Sequence, residues 1–176
     1  MTKSHHTQFN QHLNWLILRL VCSARGKKLF LLRSKYGSED LAEFLDLDTK
    51  SYDRAKASKA LENLRLKMDG DPLNHSLPLR VQKNISVLGG MMGLKPDDLR
   101  VLGFLLLLNG QPALSTAFGL FAPKSDEDAT KLIAQSLAMP LAAVRKCLAK
   151  DSKLMTCGLF ANSADKTGDK WTGYTF

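Results

Sequence analysis

The residues most able to do chemistry with a partner are bases. Arg145, Lys146 and Lys150 fall on the second of two short helices expected between residues 126 and 150, and Lys166 and Lys170 lie in a polar loop beyond it. Guanidinium and ammonium groups so placed bind phosphate oxygens, which position a nucleic acid without reading its sequence. In a helix-turn-helix the second helix enters the major groove and its first exposed residues meet base edges. Here those residues are Ala142 and Ala143, which offer a methyl contact at most. The expected binding is therefore phosphate-dominated and weakly specific. A second basic group, Arg25, Lys27 and Lys28, stands near the N-terminus.

Other reactive side chains form no recognisable centre. His75 has Asp71 and Ser76 nearby, but adjacency in sequence does not make a triad, because catalysis needs geometry set by the fold. His5 and His6 are neighbours on a polar end, with His12 further along, a spacing that suits no metal geometry. Cys22, Cys147 and Cys157 show neither a CxxC nor a Cys/His ligand spacing. The GGMMG run at residues 89–93 lacks the Lys and Ser/Thr of a phosphate-binding loop. No catalytic residue, metal or cofactor is expected, and the chain reads as non-enzymatic.

The elements that would position these bases follow from capping and periodicity. Asp126, Glu127 and Asp128 complement the free N–H groups of a helix start, with Ser125 as N-cap. Ile133 and Leu137 mark its apolar face. Pro140 stops that helix and suits the opening of the next, whose inward face is Leu141, Val144 and Leu148. The run KLMTCGLF at 153–160 has poor helical periodicity and reads as a strand, with Cys157 in it. Residues 161–169 read as a polar loop, and Trp171 to Phe176 as a second strand in which Thr172, Tyr174 and Phe176 alternate. Two helices and a β-hairpin make a winged helix-turn-helix.

Upstream, residues 9–24 form a helix with Phe9, Leu13, Leu16 and Leu20 on one stripe and Trp15 and Leu18 off it, an arc wide enough to serve more than one neighbour. Residues 27–36 are left open between helix and extended linker. A helix entry at Ser38 and a helix over 52–68, with Ala57, Leu61, Leu64 and Met68 inward, follow. This pair loosely repeats the later one and could be a degenerate winged helix. Gly70, Pro72 and Pro78 mark residues 71–78 as a linker. A short helix over 79–90 would face Val81, Ile85 and Leu88 inward. Pro96-Asp97-Asp98 opens a helix that is apolar all round, and residues 112–121 form another. The expected architecture is mainly α: a helical part at 1–70, a linker at 71–78, and a winged-helix domain at 79–176.

The formal net charge is +8, which favours anionic partners. Its distribution matters more. Residues 1–38 carry Lys3, Arg19, Arg25, Lys27, Lys28, Arg33 and Lys35 and no acid, whereas residues 126–176 carry seven bases against six acids. The helix-turn-helix is thus nearly neutral. The first dozen residues are polar, the longest apolar runs are far too short to span a bilayer, and three unpaired cysteines suit a reducing compartment. The expectation is a cytoplasmic chain with no membrane partner.

The order LGGMMGLKPDDLRVLGFLLLLNGQPAL followed by IAQSLAMPLAAVRKCLAKDSKLMTCGLF resembles the N-terminal winged-helix region of large bacterial AAA+ ATPases. The likeness lies in the Gly-Leu-x-Pro start at Gly93 to Pro96 and the x-Leu-x-x-x-Gly-Leu close at Lys153 to Leu159, over about residues 79–160. It implies that catalysis belongs to a downstream ATPase domain, and that this chain is an accessory end which binds nucleic acid or docks a protein partner or its own ATPase.

Overall fold

The computed structural model describes residues 2–158, 161–162 and 174–175. The chain is mostly helical (71%). It divides into two compact units, Met1–Pro78 with Pro112–Phe121, and Leu79–Gln111 with Ala122–Phe176.

The first unit is built on α1 (Thr2–Val21). Leu13, Trp15, Leu16, Ile17, Leu18, Leu20 and Val21 are all buried, so the arc that looked too wide for one neighbour is covered within this unit. Its partners are α2 (Ala24–Phe30), α4 (Arg54–Asp69), a 3-10 turn at Pro72–His75 and α7 (Pro112–Gly119). The short α3 (Glu39–Phe44) packs on α7. Ser23 caps α2 through its side chain. The helix ends at Phe30, and the chain reverses in a tight turn closed by the Leu31–Tyr36 bridge. Residues 71–78, expected as a linker, instead hold a turn whose Asn74 is buried against α1 and α4. Residues 112–121, expected beside the helix-turn-helix, pack in this unit. The α3–α4 pair is joined by a loop with no strand.

The second unit is centred on α6 (Pro96–Gly110), in which Val101 to Leu105, Leu107 and Leu108 are buried. Pro96 opens α6, and the Lys95 backbone N–H donates to Asp98 at 2.9 Å. α5 (Leu79–Met92) lies on α6 through Ile85 and Gly89. A Cβ at Gly89 would sit 2.1 Å from Leu99 Cδ2, so glycine sets this close approach. α8 (Asp126–Leu137) and α9 (Leu141–Cys147) pack on α6 and on each other. Ser125 caps α8 as expected, accepting from the Asp128 N–H. Arg100 of α6 donates to the Leu137 carbonyl at 2.8 Å, which satisfies the end of α8.

The two helices of the expected winged helix-turn-helix are present, but among the described residues its β-hairpin wing is not seen. The first expected wing strand begins instead as a helix, α10 (Lys153–Thr156), with Leu154 buried. Ser152 decides this: its Oγ accepts from the Met155 N–H at 3.2 Å and starts a helical turn. Cys157 closes that turn and is not in a strand. Among the described residues the one strand pair, β1 (Ala161–Asn162) and β2 (Tyr174–Thr175), matches two residues to two. The loop with Lys166 and Lys170, and Trp171, Thr172 and Phe176, lie outside the described residues. Among the described residues the architecture is mainly α, and a β-hairpin wing is not seen.

Candidate functional site: the α8–α9 pair and the outer face of α5

The turn between α8 and α9 is set by backbone chemistry. Ala138 adopts a left-handed conformation (φ 52°), and its neighbour Met139 donates back to the Ala134 carbonyl at 3.0 Å. This is a glycine-type helix stop made with alanine. Met139 is buried and Pro140 opens α9. Ala142 is exposed and Ala143 half-buried at the leading edge, and Arg145, Lys146 and Lys150 are exposed.

Arg145 is already engaged. Its Nε donates to Glu127 Oε2 at 3.0 Å and its Nη2 to Glu127 Oε1. Lys131 joins the same carboxylate at 3.5 Å. The Arg145 guanidinium holds the Glu127 carboxyl below its usual range. A phosphate would have to compete with this pair for Arg145, which leaves Lys146 as the cation on α9 most open to an anion; Lys150, expected on the same helix, lies in the turn beyond its end at Cys147 and is also exposed.

The N-terminal bases are divided between structure and surface. Arg25 donates to the Phe121 carbonyl at 2.8 Å and lies over the Phe121 ring at 5.6 Å, tying α2 to the segment after α7. Lys27 pairs with Glu62 at 2.9 Å, where Arg65 also binds at 2.6 Å. Lys28 is exposed.

The histidine region is a packing cluster. His12 is buried and its Nδ1 lies 2.9 Å from the Asn74 carbonyl, an arrangement that needs the proton on Nδ1. Trp15 Nε1 donates to Asp69 at 3.1 Å. The Trp15 ring contacts both His12, at 5.8 Å, and His75, at 4.8 Å. Asp71 and Ser76 are both bonded to Leu73 within the local turn, and the structure does not bring them together with His75 as a relay. Burial pushes the Cys22 thiol up to about 11, and burial with the neighbouring Asp98 pushes Cys147 up to about 12, so neither is a thiolate at neutral pH. Among the described residues no three His, Cys, Asp or Glu side chains form a metal-binding group, and no single helix is long and apolar enough to cross a membrane.

α5 presents a feature that the sequence reading passed over. Its inward residues are Ile85, which is buried, and Val81 and Leu88, which are half-buried. On the opposite side Leu79, Val87 and Met91 are 76%, 58% and 83% exposed. Multiples of four residues separate them, so they run along one side of the helix. The signal was present in the sequence, as the complement of the inward stripe.

Compared with protein families, curated proteins and solved structures, the chain matches none.

Proposed function

We propose that this chain is a non-catalytic helical accessory module of a larger AAA+ ATPase and that it docks protein through the outer face of α5. The exposed row Leu79, Val87 and Met91 carries this reading. A helix that leaves three large apolar side chains in water on one side marks an interaction surface. The engaged state of Arg145 and the alanines leading α9 weigh in the same direction, since they leave the helix-turn-helix with little to read a base edge. The ATPase enters through the sequence resemblance alone.

The test is the double change Val87→Ser with Met91→Ser. Binding of a hydrophobic dye is expected to fall while helicity and melting temperature stay near wild type. A collapse of the fold would mean that the row belongs to the core, and would refute the docking surface.

A second reading, weak nucleic-acid binding, rests on Lys146, exposed on the second helix of a helix-turn-helix pair, and Lys150, exposed in the turn just after it, in a chain of net charge +8. Fluorescence anisotropy with labelled duplex DNA at low and moderate salt tests it. Phosphate-dominated binding weakens steeply with salt and is lost in Lys146→Ala/Lys150→Ala. Glu127→Gln releases Arg145 and should strengthen it. Lys28→Ala tests the N-terminal group without disturbing the packing roles of Arg25 and Lys27. No binding at low salt removes this reading.

A further inference from the structure

The exposed row on α5 specifies more than an apolar contact. α5 carries Arg80 and Lys83, both exposed, and no acid along its length. Lys83 stands midway between Leu79 and Val87 at four-residue spacing, so the row is interrupted by an ammonium and flanked by a guanidinium. Gly90 lies on the same outer side, in the last turn. A Cβ there would meet nothing within 4 Å, so the fold itself does not require glycine. Gly89 differs, since its missing side chain makes room for Leu99. Glycine is the poorest helix former after proline. Close approach of another backbone is one use of glycine, and Gly90 leaves the outer face of α5 open to it, just as Gly110 and Gly119 leave the ends of α6 and α7 open.

We propose that the outer face of α5 receives an amphipathic helix of a protein partner, with carboxylates flanking its apolar row and its backbone crossing α5 at Gly90. The proposal rests on the docking reading above and adds the partner's chemistry. Charge complementarity selects this occupant: carboxylates answer Arg80 and Lys83, while the apolar row of the partner covers Val87 and Met91. A second copy of this chain would bring an equally basic face with no acid to answer it.

The experiment uses the full chain and two labelled synthetic helices of about five turns. Both carry one leucine row, flanked by glutamates in one probe and by lysines in its twin. Binding is read by anisotropy. The glutamate probe is expected to bind and the lysine twin to bind at least ten-fold more weakly. Arg80→Glu with Lys83→Glu should reverse that preference. Gly90→Ala should weaken the glutamate probe several-fold while raising the melting temperature, a split that a purely structural glycine would not give. Equal binding of the two probes, no effect of the charge reversal, or unchanged affinity in Gly90→Ala would each overturn the proposal. So would binding to phosphatidylserine vesicles that the glutamate probe does not displace. Failure of both probes overturns the stated chemistry. The dye measurement on Val87→Ser/Met91→Ser judges the docking surface separately.

Discussion

Lowering the pH should loosen the first unit through one side chain, His12. The ring is 5% exposed, and its Nδ1–H is committed to the Asn74 carbonyl at 2.9 Å. Burial lowers its pKa below the ordinary histidine value, and the nearby His75 adds to this, against the raising effect of the Asn74 bond. Arg19 lies over the Trp15 ring at 5.4 Å and pairs at 3.9 Å with Asp69, which also accepts from Trp15. The folded state therefore holds His12 neutral, and the unfolded chain takes up a proton below about pH 6.5. Where the unfolded state binds more protons, stability rises with pH. The contribution of His12 is complete above the unfolded pKa and is lost as pH falls below it. With one proton involved, the slope is at most about 1.4 kcal/mol per pH unit. The assay is urea unfolding at pH 7.5, 6.5 and 5.5, followed by Trp15 fluorescence in a Trp171→Phe background so that one indole reports on this unit. His12→Gln keeps an N–H for the Asn74 carbonyl and removes the titration. The stability advantage of wild type over this variant should shrink by up to about 1 kcal/mol between pH 6.5 and 5.5, because the unfolded ring is already about half protonated at the upper pH. Parallel pH profiles for the two proteins would refute the reasoning. A gap that widens in acid would show that the folded state binds the imidazolium instead.

Asp69→Ala leaves the buried Trp15 N–H without its acceptor and should cost about 1–3 kcal/mol in urea unfolding, with Asp69→Asn closer to wild type. Gly26→Ala puts a Cβ 2.1 Å from the Leu20 carbonyl oxygen. Because backbone cannot move aside, the loss should reach about 3 kcal/mol, read as a lowered melting temperature. Ala138→Gly relieves the left-handed alanine between α8 and α9. It should raise the melting temperature by the equivalent of up to about 1 kcal/mol, the strain of ~1–2 kcal/mol less the entropy glycine adds to the unfolded chain.

How much of this molecule could be read from its sequence depended on whether the signal was local. Ser125 with its three following acids, Pro96-Asp97-Asp98, and the Leu61–Met68 stripe are local, and each stands in the structure where the pattern put it. The wing failed for a local reason as well. Residues 153–160 lack helical periodicity and so read as a strand, yet Ser152 is a ready N-cap, and four residues of helix follow from it. The contacts that organise the first unit are of another kind. Asn74 reaches His12 across 62 residues, and Arg25 reaches Phe121 across 96. No periodicity encodes such a pairing, and so residues 71–78 read as a linker when they are a packed turn. The candidate site shows both limits. Arg145 had the right type and exposure for a phosphate contact, but its commitment to Glu127 spans 18 residues and two helices. α5 was read for the side it buries, and its opposite side was treated as what remained. Yet a helix with one inward stripe already meets its folding needs there. The apolar residues on its outer side, as at Val87 and Met91, add nothing to that buried stripe, so their exposure is a property of the surface and not of the core.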